Sequence, residues 1–432
     1  MEHSKPRIVI VGAGAAGTAV ALRLAETRRD VDVALVDPNR AAGRGVAYST
    51  GRAAHLLNTP AARMSAFPDE PDDFVRWTSR TLGREVAPGE FLPRHHFGSY
   101  LGWALANFPA VRRIRSRAVG ITAHSVTLSS GSSLPYDAAV LALGIFPPDC
   151  GWAPSELRSS PRFVGNPWAP NALSAVPDTG DVLLVGTGLT MVDLAMVLDR
   201  PGRVVHAVSR HGLLPRTHAP VTPVAAPDLS GCHSIESLRS LVVRRVREER
   251  DWRAVVDSLR SSLPALWQRL PEGDRARFLA EDLRGWEVRR HRMPPAAAEQ
   301  VRKLRARGKL VVHAGAVESV SGDLAVRLSS GRSLEVGSVV NCTGSQADLR
   351  RVDDPFVRSL LGGGLARPGP LGLGLGTDVD GRLVGGVPLW TIGSLRRGNL
   401  WETTAFPEIR DQASVIVEAV LTSLTTHVAK AA

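Results

Sequence analysis

The chain has 432 residues, of which 44% are hydrophobic and 22% charged, and its 53 basic and 42 acidic residues leave a formal net charge of +11. That length and balance suit two or three globular domains with a substantial core, and exclude a disordered or fibrous chain. Such a charge invites nucleic acid or an anionic surface, but only four of the basic residues are lysines, and the basic runs at 244–250 and 287–292 carry acidic and apolar neighbours like solvated helix faces, so nucleic acid is not expected as a partner.

In chain order, residues 7–37 read as a strand (RIVIVG), a glycine turn, a helix (TAVALRLAET) and a second strand (VDVALVD), one βαβ unit of a parallel sheet. The stretch IVIVGAGAAGTAVALRLA is apolar enough to imitate a signal or membrane span. Its glycines fall at turn spacing and no cleavage site follows, so a buried strand and helix are expected and no membrane association. The next residues are irregular up to helices around VRWTSR and SYLGWALANF, followed by short strands in SVTLSSGSSLPYDAAVLALG with a turn at GSS. Residues 147–178, rich in Pro, Trp and Ser, read as a crossing linker. At 181 the βαβ pattern restarts (DVLLVGTGLTMVDLAMVL, then RVVHAVSR), an internal repeat. Residues 234–310 show helical spacing. Strands return in LVVHAGAVESV and LAVRLSSGRSLEVGSVVNCTG, and the tail holds a glycine-rich loop, the strand PLWTIGS and a last helix from about 406 to 427. Cys150, Cys232 and Cys342 are too few and too scattered for a disulfide framework, which suits a reducing cytoplasm.

Gly12, Gly14 and Gly17 follow a strand directly and, with Ala15, open a helix, so the backbone can approach a pyrophosphate at the helix N-terminus. Asp37 ends the second strand, where a carboxylate can accept from ribose hydroxyls, with Pro38 beside it. The repeat offers Gly186 and Gly188, with Met191 at the third glycine position. After its second strand come Ser209 and Arg210 instead of an acid, which suits a 2′-phosphate and favours NADPH over NADH. No HExxH, clustered Cys/His set, GxSxG or CxxC is present, so metal hydrolysis, serine-esterase and dithiol chemistry have no foothold and no metal is expected.

Taken together, the two glycine turns make nearly the whole chain resemble the FAD/NAD(P)-binding flavoproteins of the flavin-monooxygenase and glutathione-reductase-like superfamily. The resemblance implies an α/β fold with two Rossmann-like dinucleotide-binding domains and a helical insertion: a FAD-binding domain in 1–175 and 340–432, and an NADPH-binding domain in 176–339 with the insertion at 234–310. VLALG ending at Gly144 and VVNCTG ending at Gly344 look like the paired strands that return from each nucleotide domain. TIGS at 391–394 looks like the terminal segment beside the flavin, with Gly393 kept and Ser394 in place of the usual Asp. NTPAARMSAFPDEP at 58–71 resembles the flavin-monooxygenase pattern of Asn, Met-Ser, Asp and Pro. Met64, Asp69 and Pro71 keep its spacing and Asn58 stands one residue further away. By this likeness Asn58 positions the reduced flavin with oxygen and Met64 lies at the cofactor.

The phrases GVAYST, HLLNTPAARMSAFP, VGTGLTMVD, SRHGLLPRTH, RHRMPP and GSLRRGNLWETTAFPEIR resemble a group of bacterial FAD/NAD(P)-binding proteins, some of which hydroxylate the nitrogen of small amino compounds. The segment 391–410 can aim backbone amides and Trp401, Thr403 or Thr404 at the flavin ring. His55, Arg94, His95, His96, His218, Arg290, His291, Arg292, Arg396, Arg397, Glu402 and Glu408 lie off the periodic faces. Among them the cluster around Arg292 suits a phosphate or substrate carboxylate. The implied activity is an NADPH-consuming monooxygenase, working through a flavin hydroperoxide on a small substrate and molecular oxygen, with Asn58, Arg292 and Thr404 as catalytic candidates and a homodimer as one compatible assembly. Two alternatives stay open: an NADPH-dependent reductase or dehydrogenase without oxygen insertion, and a non-catalytic FAD-binding sensor.

Overall fold

The computed structural model describes residues 5–431; residues 1–4 and 432, at the outer ends of the expected flavin-binding segments, lie outside them. Unbroken apolar runs make strands buried on both faces, which is what a parallel sheet covered by helices requires. Two such sheets form, each of five parallel strands. The first runs Leu389–Thr391, Ala138–Leu141, Arg7–Val11, Asp32–Val36, Arg112–Ile114. The second runs Leu310–Ala314, Val205–Ser209, Val182–Val185, Ser338–Asn341, Phe163–Val164. Each carries a three-stranded antiparallel meander, Ala118–Ile121 with Ser125–Leu128 and Ser133–Pro135, and Val317–Ser321 with Ala325–Leu328 and Ser333–Glu335. The internal repeat therefore covers a whole module: strand, glycine turn, helix, strand, meander, returning strand.

The stretch read as a crossing linker holds the short strand Phe163–Val164, an edge of the second sheet. Two residues carry no readable period. What fixes them is pairing with the neighbouring strand, where Val339 N–H and the Ser338 hydroxyl both donate to Arg162 O (3.1 and 2.8 Å).

Ile8, Ile10, Val20 and Leu24 share the first core with Val417 and Val420 of the last helix, Phe406–Ala431, which closes the outer face of the module. The insertion contributes the helices Ile235–Glu249, Trp252–Ser258, Leu263–Arg269, Glu272–Arg277 and Leu283–Arg290. The first opens on a capping box in which Ser234 Oγ accepts from Ser237 N–H at 3.2 Å. The insertion owns a small core around Leu259, Leu266 and Leu270. No helix among the described residues is long and apolar enough to cross a membrane.

Candidate active site

Both glycine turns are built alike. Gly12 and Gly186 sit at φ +102° and +112°, and a Cβ at either would lie 2.3 Å from a carbonyl of its own returning strand, Ala142 O and Cys342 O respectively. Gly12 N–H donates to Val36 O (2.8 Å) and Gly186 N–H to Val208 O (2.7 Å). The returning strands tie back the same way, Ala142 N–H to Val11 O and Cys342 N–H to Val185 O. A Cβ at Gly17 would meet Gly12 O at 1.8 Å, so the first turn closes only with glycine there. In the second turn Met191 takes that place and is fully buried in the second core. The helices Ala15–Glu26 and Leu189–Leu198 start at Gly14 and Gly188 without a side-chain cap, leaving first-turn N–H groups for an anion.

Beside the first turn, Asp37 is fixed at both oxygens: Ala13 N–H donates to Oδ2 (2.8 Å) and Asn39 N–H to Oδ1 (2.7 Å). Together with Gly12, exposed Pro38 and residues 145–150 it borders a cavity of about 670 Å3. These observations fit a dinucleotide: a cradle that any side chain would fill, an anchored carboxylate at the cavity edge, and space beyond. The loop 43–45 completes the cradle, and the sequence argument missed it. Gly43 N–H donates to Ala13 O (2.8 Å), and the Cα of Gly45 lies against Gly14. The GRG of GRGVAYST was its signal.

At the second turn Thr187 Oγ1 and Ser209 Oγ are 2.8 Å apart. Arg284, from the insertion, donates to Thr187 O (3.1 Å) and Leu213 O (2.6 Å), a contact that no motif announced. Arg210 is exposed at the strand end.

Asn58 is half-buried, and its carbonyl accepts from His218 Nε2 at 3.0 Å, which fixes that nitrogen as the protonated one. Burial, and then Arg292, push the imidazole down to about 4, so His218 is neutral. It is carried by the chain following the second βαβ unit, which is itself pinned by His218 N–H to Met293 O (2.9 Å) and Met293 N–H to Arg216 O (2.7 Å). Asn58 therefore lies where the two modules meet. Below it, Met64 is buried in the first core, and Tyr100 Oη ties the segment by donating to Asp73 Oδ2 (2.7 Å) and accepting from Ala66 N–H (3.1 Å). A second tie between modules is Arg94, paired at 2.6 Å with Asp193 on the helix after the second turn.

The polar residues grouped around Arg292 assemble into a buried ionic network. Arg290 pairs with Glu402 (3.2 Å) and Glu408 (3.1 Å), Arg260 Nε donates to Glu408 (3.0 Å), Trp286 Nε1 donates to Glu402 (2.8 Å), and Arg292 pairs with Asp257. Burial raises the Glu402 carboxyl, but Arg290 and its other cationic neighbours outweigh it and hold the group below its usual range. Arg292 keeps buried Nε and Nη1 without partners.

In the terminal segment Gly144 is exposed at φ +71° and accepts from Ser394 Oγ. Gly393 N–H donates to Gln412 Oε1 (3.1 Å), Thr403 Oγ1 donates to Gly393 O, and Thr404 is exposed. Trp401 departs from expectation. Instead of facing the flavin side, its indole turns into the insertion, 4.9 Å from Trp267 and 5.3 Å from Phe278 between centroids. The cause is a γ-turn: Trp401 sits at φ 62°, ψ −69° with Glu402 N–H donating to Leu400 O at 2.8 Å. That conformation is strained, by about 1–3 kcal/mol, and the aromatic packing and anchored Glu402 hold it.

Residues 9–146 match the FAD-NAD(P)-binding family. A search of curated proteins finds no match. Among solved structures, an ornithine hydroxylase from Pseudomonas aeruginosa superposes with a TM-score of 0.67 at 15% identity, covering 97% of this chain and 99% of that one. A cadaverine monooxygenase of desferrioxamine biosynthesis from Erwinia amylovora, bound to FAD, gives 0.67 at 12% identity over 97% and 95%. An ornithine N-hydroxylase from Kutzneria sp. 744 gives 0.64 at 15% identity over 97% and 99%. At such identities the likeness is one of fold: this chain has the two-dinucleotide-domain flavoenzyme architecture over nearly its whole length.

Proposed function

We propose that the protein is a FAD-dependent, NADPH-consuming monooxygenase that hydroxylates an amine nitrogen. The observation that carries this is Asn58, set at the junction of two equally built glycine cradles and held there by neutral His218 from the second module. Bound FAD would supply hydride acceptance from NADPH and electron delivery to dioxygen. One oxygen atom enters an N–H bond of the substrate, the other leaves as water, and NADPH provides the two electrons.

The chain's own residues orient and enclose. Gly12, Gly14, Ala15 and Gly17 would take the FAD pyrophosphate and Asp37 the ribose, while Gly186 and Gly188 would take that of NADPH, with Ser209 and Arg210 toward the 2′-phosphate. Asn58 offers its side-chain amide to the flavin edge while its backbone is fixed. Thr404, Thr403 and the amides near Gly393 and Ser394 line the same end. Arg292, paired with Asp257 and set over the Trp252 ring, ties the chain after Leu283–Arg290 to the helix Trp252–Ser258. A dithiol route for the electrons has no CxxC pair to run on: the three cysteines are free, and burial pushes the Cys342 thiol up. The fold neighbours named for ornithine and cadaverine hydroxylation support the reading.

The test is turnover of primary amines by the FAD-loaded protein with NADPH under labelled dioxygen. A hydroxylamine carrying the label is expected. NADPH consumption with an organic acceptor reduced and no label in any product would make the protein a reductase, and no flavin reduction by either nicotinamide would make it a sensor.

A further inference from the structure

The helical insertion lines an open cavity of about 890 Å3, within the range of about 300–1,000 Å3 that small-molecule sites occupy. Its wall is apolar. The helix Ile235–Glu249 buries only Ile235, although Leu238, Val242 and Val246 recur on one face at helical spacing. That stripe is half-buried: Leu238 and Val242 pack in part against the small core of the insertion and, with Val246, line the cavity, and Val243 beside it is 50% exposed. A helix with such a stripe normally covers it against another element. Trp401 also lines the cavity, and its γ-turn is continuous with Thr403 and Thr404 of the segment assigned to the flavin end.

The charge of the lining is one-sided. Its two carboxylates, Glu281 and Asp282, are both taken by Arg239 (2.6 Å each). Arg216, Arg247 and Arg289 are exposed in the same lining and have no carboxylate partner among the described residues. Dications such as a diamine are repelled there, whereas a carboxylate is attracted. An apolar wall also disfavours an ammonium and favours the neutral amine that N-hydroxylation needs.

We propose that this cavity holds the substrate, an amphiphilic carboxylate with a long apolar chain: the carboxylate rests on Arg216, Arg247 and Arg289, the chain lies along the stripe, and the amine end reaches Trp401. The amine assignment rests on the monooxygenase reading, and the carboxylate and chain do not. Trp401, whose indole faces the insertion and whose backbone leads on to Thr403 and Thr404, is then the specificity-determining residue at that end of the cavity.

Calorimetric titration of the oxidised, FAD-loaded protein with dodecanoate, ω-aminododecanoate, dodecylamine and ornithine tests this without turnover. Saturable binding of the two carboxylates is expected, with dodecylamine at least ~10-fold weaker, one charge-assisted contact being worth about that factor, and ornithine undetected. Val246→Trp, which fills the cavity from a half-buried position, and the double variant R247A/R289A should each weaken dodecanoate at least ~10-fold with the thermal midpoint unchanged. Dodecanoate binding that is absent, or the same in wild type and both variants, overturns the assignment. Binding with no hydroxylation of ω-aminododecanoate would sink the monooxygenase reading and leave the cavity assigned. Hydroxylated ornithine with no dodecanoate bound would do the reverse.

Discussion

Gly12 carries a constraint that can be read in a single substitution. At φ +102° with Ala142 O 2.3 Å from a built Cβ, alanine there forces the turn apart. Gly12→Ala should purify colourless, its FAD lost, as read from the visible absorbance. Arg210 can be tested by selectivity: Arg210→Ala should raise the KM for NADPH ~10–100-fold, the worth of about 1.5–3 kcal/mol for a hydrogen-bonded charge, and leave the KM for NADH unchanged. Asn58→Ala should uncouple NADPH oxidation from hydroxylation, with peroxide released in place of product; full coupling in this variant would remove Asn58 from the chemistry. At this scale the tight glycine turns and the acid at the end of the second strand are legible because each answers to a local rule, and Asn58 is proposed on a motif. His218 was visible only as a polar residue without employment, since its bond to Asn58 O joins positions far apart in sequence.

Among the elements, the insertion was predicted as helical and its helices are there, but what they do was hidden. Periodicity shows that a face is apolar and not what it faces, so the stripe on Ile235–Glu249 gave no hint of a cavity. Nor does any local pattern reveal that Arg290, Glu402 and Glu408 pair across the insertion and the last helix. The network carries a prediction. Arg290→Met leaves the buried Glu402 carboxylate without its ion pair, Glu408 keeping Arg260, and should cost about 3–5 kcal/mol in denaturant unfolding, whereas an exposed pair is worth about 0–1 kcal/mol. Replacing both partners, R290M/E402Q, should recover part of that loss. The γ-turn at Trp401 was equally unreadable, because only packing with Trp267 and Phe278 holds tryptophan at a positive φ.

For the whole molecule, the repeated βαβ grammar made two nucleotide modules predictable, and the meanders and returning strands followed the same repeat. The relation between modules was not predictable, since Arg94–Asp193 and His218–Asn58 depend on the docked arrangement. That arrangement bears on acid stability. Burial, reinforced by Arg94 at His55, by Arg292 at His218, by Arg290 at His291 and by His206 at His313, lowers all four imidazoles to about 4 from an ordinary 6.5. The unfolded chain therefore binds more protons between those values, so stability is whole above about pH 6.5 and drains as pH falls toward 4. Asp193, pushed up to about 6 chiefly by burial, and Glu26, also raised by burial, titrate in the opposite sense, two groups against four. Thermal midpoints should fall steeply from pH 7 to pH 5, and His291→Gln should flatten that slope; a flat profile would show that these histidines protonate without loss of structure.

The hand that Arg284 lays on Thr187 and Leu213 belongs to the helix Leu283–Arg290, whose Trp286 and Arg289 also border the insertion cavity. One helix thus touches both the second glycine turn and the cavity wall. Whatever occupies one end and shifts the helix changes the free energy of filling the other, and by thermodynamic reciprocity the effect runs equally in both directions. A nucleotide at that turn and a ligand in the cavity would then each change the other's affinity by the same factor, whichever of them arrives first.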